Sequence, residues 1–86
     1  MKVTFYGKVI NYTDGKKSHV PGGCANLRAL VDELGSIYGE NFRAFLLGSE
    51  TCFFLVNGAG AQSTGGLETP LKPGDKIEVL PFVEAG

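Results

Sequence analysis

The chain has 86 residues, a formal net charge of −1, 43 % hydrophobic residues and two cysteines. That is enough for one small domain of ordinary globular composition, with charges too evenly mixed to offer nucleic acid a basic stripe. No apolar run approaches the roughly 20 residues that span a bilayer, so no membrane partner is expected. Met1-Lys2-Val3-Thr4 reads as the start of a strand rather than a signal peptide, which makes the cytoplasm the expected compartment. Cys24 and Cys52 lie too far apart for a CxxC motif, and both are expected as buried thiols rather than metal or redox groups.

Val3 and Phe5 alternate with Lys2, Thr4 and Tyr6, the period of a half-buried strand. The alternation continues less cleanly from Lys8 to Tyr12. Asp14-Gly15 is a hairpin signal, since both positions tolerate positive φ, so Lys16 to Val20 is expected to run back antiparallel. Pro21-Gly22-Gly23 closes that strand. Leu27, Leu30, Val31, Leu34 and Tyr38 then recur on one face of a 3.6-residue period and predict a helix. Asn26 is placed to cap it, Gly39 to stop it, and Ile37 to widen its apolar face. Gly35 inside the helix costs about 1 kcal/mol against alanine.

Asn41 to Glu50, with Phe42, Phe45, Leu46 and Leu47, suggests a short helical turn or a packed loop. Cys52 to Val56 is an apolar β run closed by the turn dipeptide Asn57-Gly58. Small residues from Ala59 to Gly66 form a loop with room for a short edge strand. Leu67 to Leu71 reads as a turn plugging the core, and Lys72-Pro73-Gly74-Asp75 as a β-turn. Lys76 to Leu80 alternates cleanly, with Ile77 and Val79 inward and Lys76 and Glu78 outward. Pro81 lacks a ladder donor and is expected to end the pairing. Residues 1–81 therefore make the folded domain and residues 82–86 a thin tail, reaching roughly 15–18 Å if extended.

Several segments together resemble the MoaD/ThiS group of ubiquitin-like sulfur carriers. They are Lys2 to Gly7, the helix from Asn26 to Gly39, Leu55-Val56-Asn57-Gly58, Gly66 to Asp75, and Ile77 to Gly86. The specific part is Val-Asn-Gly, then Gly-Leu-x-Thr-Pro-Leu-x-x-Gly-Asp, then a terminal glycine. The resemblance implies an α+β, ubiquitin-like β-grasp fold, a mixed sheet of four to five strands packed on one main helix. Its first and last strands would lie parallel at the centre.

The resemblance also implies a chemistry for Gly86. An E1-like adenylating enzyme uses ATP to turn the terminal carboxylate into an acyl-adenylate, which supplies the leaving group a carboxylate lacks. Sulfur then replaces the adenylate, and the thiocarboxylate serves an acceptor enzyme as a soft nucleophile. The carrier itself binds no cofactor and no metal, and is a protein-bound sulfur donor rather than an enzyme. Pro81-Phe82-Val83 and the length favour the small subunit of molybdopterin synthase, with its large subunit as acceptor. The family ends in Gly-Gly, whereas here Ala85 precedes Gly86 and Glu84 stands where a small residue is usual. Ala85 adds a methyl to a tail that must enter a narrow channel, and Glu84 adds a charge.

With the first, third and last strands adjacent, as the resemblance implies, strand parity leaves Tyr6, Phe53, Leu55 and Leu80 on the sheet face away from the helix. They form an expected apolar partner-docking patch at the root of the tail. The expected partner-binding set is then Tyr6, Phe53, Leu55, Leu80, Pro81, Phe82, Val83, Glu84 and Ala85. Rival functions are a ubiquitin-like modifier joined to lysines, a thiamine-type carrier, and an interaction module with an unmodified tail. The glycine-rich stretch Asn57 to Gln62 precedes no evident helix, so it is no phosphate cradle. His19 has no acid or nucleophile near it in sequence and reads as a surface or strand-end histidine.

Overall fold

The computed structural model describes residues 1–48 and 51–82. Its strands are β1 (Lys2–Phe5), β2 (Ser18–His19), β3 (Cys52–Val56), β4 (Ala59–Gly60) and β5 (Lys76–Pro81), and its helices α1 (Leu27–Tyr38) and α2 (Glu40–Leu47). Short 3₁₀ turns cover Gly7–Tyr12, Ala61–Ser63 and Gly66–Glu68. The sheet order is β2-β1-β5-β3-β4, with β1 and β5 parallel in the middle and the other pairings antiparallel. This is the β-grasp arrangement that the resemblance implies.

Alternation sorts the sheet into two faces. Val3, Phe5, Phe54, Val56, Ile77 and Val79 are buried against Leu27, Leu30, Val31 and Leu34 of α1. Removing these side chains from water is the main favourable term in folding, at about 1.5–3 kcal/mol for each large apolar group. Asn26 caps α1 by accepting from the Ala29 amide at 2.9 Å, and Gly39, at φ 112°, ends it. Ile37 does not join the apolar face: it is 52 % exposed, because it lies off the stripe that meets the sheet.

Two expectations for the chain's loops change. Lys8 to Tyr12 is not a strand. Gly7, at φ 57°, turns the chain out of the sheet into the 3₁₀ turn, where Val9 is fully buried and Tyr12 stacks 5.4 Å from Phe42 and 4.7 Å from Phe45. The three-residue spacing of Val9 and Tyr12 suits a 3₁₀ turn as well as it suits a ragged strand. Asp14-Gly15 does make the expected tight turn, with φ of 54° and 81°, and β2 follows in only Ser18–His19. Within Asn41 to Glu50, where the sequence suggests a short helical turn or a packed loop, residues 41–47 belong to the full helix α2, Glu40–Leu47, and residues 49–50 lie outside the described ones. The helix buries Phe42, Phe45 and Leu46 and leaves Leu47 exposed.

The motif residues are structural brackets. In the β3–β4 turn, Asn57 and Gly58 both take positive φ. The Asn57 side chain donates to Asp75 Oδ1 at 3.0 Å and accepts from the Lys76 amide at 2.9 Å. It thereby ties the β3–β4 turn to the first residue of β5. Gly66 to Leu71 crosses the start of α1, where the Thr69 carbonyl accepts from the Leu27 amide at 3.1 Å. A helix leaves its first amides without internal partners, and here Thr69 and Asn26 supply two of them.

Candidate functional site

The expected site is the root of the tail, and β5 positions it. Pro81 does not end the pairing with β3. Cys52 stands opposite Pro81, and the next amide, Phe82 N–H, donates to the Thr51 carbonyl at 3.2 Å. That bond makes Cys52 and Pro81 a pair that exchanges no backbone hydrogen bonds, so the proline nitrogen faces away from β3. On its other side β1 has already left the sheet, after the Tyr6 amide donates to the Val79 carbonyl at 3.1 Å. The ladder therefore loses nothing at Pro81. A Cβ at Gly7 would lie 3.0 Å from Pro81 Cγ, so the turn that removes β1 packs directly on the proline.

The sheet face away from the helices carries the remaining described site residues. Register sets Leu80 opposite Phe53, and Glu78 between Thr4 and Leu55. Phe53, Leu55 and Leu80 are half-buried; Tyr6 and Phe82 are each 40 % exposed. Phe82 closes on Phe53 with ring centroids 5.2 Å apart. The patch is not wholly apolar, since the Tyr6 hydroxyl donates to Glu78 Oε2 at 2.8 Å. That hydrogen bond, with partial burial and the Glu78 charge behind it, raises the Tyr6 pKa above its ordinary value. Glu78 was within reach of sequence reasoning, because the parity that selects Leu80 selects it too. Val83, Glu84, Ala85 and Gly86 lie outside the described residues.

Beside this face, an apolar groove of about 370 Å³ opens past the short β4, lined among others by Leu46, Leu47, Cys52, Phe53, Leu67 and Phe82. No local pattern announces it, since it joins α2, the edge of β3 and the loop after β4. Burial pushes the pKa of Cys52 up to about 11, so its sulfur stays a thiol at neutral pH and is a poor nucleophile. His19 is structural: its Nε2 lies 2.8 Å from Glu33 Oε2, and the same carboxylate accepts from the Gly22 amide at 3.2 Å and the Cys24 thiol at 3.7 Å. Among the described residues no group of three or more His, Cys, Asp or Glu is placed to hold a metal ion, and no helix is long and apolar enough to cross a membrane.

A β-grasp domain whose central strand β5 ends beside a largely apolar sheet face has the frame of the ubiquitin-like proteins, the class to which the small sulfur carriers belong. The chain belongs to the ThiS family, whose model matches residues 3–86. No curated relative matches it by sequence. Among solved structures it is similar to a chain of the Amycolatopsis orientalis BexX/CysO complex, with a TM-score of 0.83 and 28 % identity over 99 % of this chain and 98 % of that one. It is similar to the Mycobacterium tuberculosis antigen CysO at a TM-score of 0.82 and 25 % identity, over 95 % and 98 % of the two chains. A putative molybdopterin converting factor subunit 1 from Pyrococcus furiosus shares the fold at a TM-score of 0.70 and 22 % identity, over 95 % of each chain.

Proposed function

We propose that the protein carries sulfur on the carboxyl group of Gly86, as a thiocarboxylate made through an acyl-adenylate. The observation that carries this reading is the family match, which runs through Gly86 on a domain whose central strand leads into it. An E1-like enzyme would adenylate Gly86 with ATP, and a sulfur source would displace AMP. The carrier would then dock through Tyr6, Phe53, Leu55, Leu80, Pro81 and Phe82 while Val83, Glu84, Ala85 and Gly86 enter the acceptor's active site. A terminal residue without a Cβ suits a narrow channel. The carrier supplies no general base; its contribution is placement of its own reacting carbon.

For the acceptor we propose the large subunit of molybdopterin synthase, supported by Pro81-Phe82-Val83 and by the fold shared with the Pyrococcus furiosus protein. A second acceptor class is supported by the higher likeness to CysO, which in Amycolatopsis orientalis is found in complex with BexX. Incubation with an E1-like enzyme, ATP and a sulfide source, followed by intact mass measurement, tests the reading. Exchange of one oxygen for one sulfur at Gly86 is the expected result. High-mass conjugates would make the chain a lysine modifier instead, and an unchanged mass would leave an interaction module. Adding one residue after Gly86 is expected to abolish the exchange without altering the fold.

A further inference from the structure

The open sheet face has a glutamate side chain, Glu78, near its middle, and that constrains what can lie opposite. Glu78 sits on the central strand with Thr4 and Leu55 as its cross-strand neighbours and Leu80 two residues along on the same face. Beyond Leu80 come Phe53 and its partner ring Phe82. The one described side-chain bond to Glu78 comes from the Tyr6 hydroxyl at 2.8 Å, which is neutral and leaves the charge in place. Lys76, on the same face, forms no ion pair with it among the described residues, where the ion pairs join His19–Glu33, Arg28–Glu68, Arg43–Asp32 and Arg43–Glu40. Glu78 is only half-buried, so in the free domain its remaining lone pairs are open to solvent.

A protein that covers Phe53, Leu80 and Phe82 shuts that solvent out as well. Desolvating an uncompensated carboxylate costs more than one neighbouring apolar contact returns. We infer that Glu78 selects the partner: the surface that docks here presents an arginine, flanked by apolar side chains, whose guanidinium pairs with Glu78. Arginine fits better than lysine because its planar fork reaches both carboxylate oxygens while its face lies on an aromatic ring, and Tyr6 is the ring already held there. A partner with an acidic or purely apolar patch at this point is rejected, so Glu78 works by penalising wrong partners as well as holding the right one. This inference rests on the reading that the sheet face docks the carrier's partners.

The test measures pyrophosphate release by the E1-like adenylating enzyme of the same organism, with ATP and varied concentrations of the carrier. Parent, Glu78→Gln, Glu78→Lys and Phe53→Ala are compared, with melting curves to confirm that each is folded. The isosteric Glu78→Gln is expected to raise KM roughly 10- to 30-fold, and Glu78→Lys more than about 100-fold, because each leaves a buried guanidinium unneutralised. kcat is expected to stay within about twofold, since docking rather than chemistry is altered. A Glu78→Gln KM equal to or below that of the parent overturns the inference. If Phe53→Ala raises KM while Glu78→Gln does not, only the role of Glu78 falls. If neither changes KM, the face is not the docking surface. Absence of pyrophosphate release with the parent removes the carrier reading, and this inference with it.

Discussion

Gly35 of α1 lies directly beneath Arg43 of α2: a Cβ at position 35 would stand 2.9 Å from Arg43 Cβ and 3.0 Å from its Nε. The glycine lets the two helices approach, and Arg43 then pairs with Asp32 on α1 and Glu40 at the start of α2. Helix propensity alone rewards Gly35→Ala by about 1 kcal/mol. The contact reverses that sign, because Arg43 Cβ is fixed to the α2 backbone and cannot swing aside. Gly35→Ala is therefore expected to lower the melting temperature, by several degrees for a net cost of about 1 kcal/mol in a domain of this size. A variant that melts higher than the parent would show that the helices separate freely.

Asn57 holds the β3–β4 turn to the start of β5 through two hydrogen bonds while adopting φ 52°. Asn57→Ala removes both bonds and places a residue less tolerant of positive φ in the turn. A loss of about 1–3 kcal/mol in urea unfolding is expected. Asn57→Gly keeps the backbone conformation and should recover part of it. The denaturation midpoints of the two variants separate the hydrogen bonds from the backbone.

The Glu33 carboxylate lies below its ordinary pKa of 4.5, chiefly through its bond to His19 and also through the Gly22 amide, with burial opposing them. A carboxylate whose folded pKa is depressed adds stability that is present above the unfolded value. That stability is lost as the pH falls below 4.5 and through the lower folded value. Glu33→Gln is thus expected to cost stability at pH 6–7 and to narrow its gap from the parent on acidification. Melting curves across that window would settle it, and a gap independent of pH would rule out the linkage.

Neither thiol should react readily in the folded protein. Burial raises the pKa of Cys52 to about 11, and burial together with the Glu33 charge and hydrogen bond raises that of Cys24. Iodoacetamide at pH 7.5 is expected to leave both unlabelled over a time that labels the urea-unfolded chain completely. Rapid native labelling of Cys52, read by peptide mass, would mean that the groove beside Phe82 opens far enough to expose it.

Ala85 is where this chain departs from the Gly-Gly ending of the family it resembles. Its methyl narrows the tail's fit in any channel shaped for two glycines. With an activating enzyme taken from a relative that ends in Gly-Gly, Ala85→Gly is expected to raise kcat/KM for adenylation roughly tenfold, the order of one methylene-sized misfit. With the cognate enzyme the gain should be small. Equal rates for both chains with the Gly-Gly-adapted enzyme would show that position 85 is not read.

Where alternation or helical period was strong, the residues announced their own environment. Val3, Phe5, Ile77 and Val79 could be assigned to the core, and Asn26 to its cap, from neighbours a few positions away. The weak patterns are less specific: Val9 and Tyr12 serve a 3₁₀ turn where the alternation predicts a strand, and the apolar residues after Asn41 complete a helix. In both, short spacings fit more than one backbone, and burial of aromatic rings against distant elements decides between them. At the site, parity alone separated Tyr6, Phe53, Leu55 and Leu80 from the core-facing set.

The amino-acid order by itself determined which side chains seek the interior, where the helix begins and ends, and which family the chain resembles. Those are consequences of local period, capping and motif. Only the tertiary structure decided that Tyr6 meets Glu78 across 72 positions, that the nitrogen of Pro81 faces away from β3, and that Gly7 makes room beside that proline. Each depends on the register between strands far apart in the chain, which no local pattern encodes and which packing of the whole sheet on its helices selects.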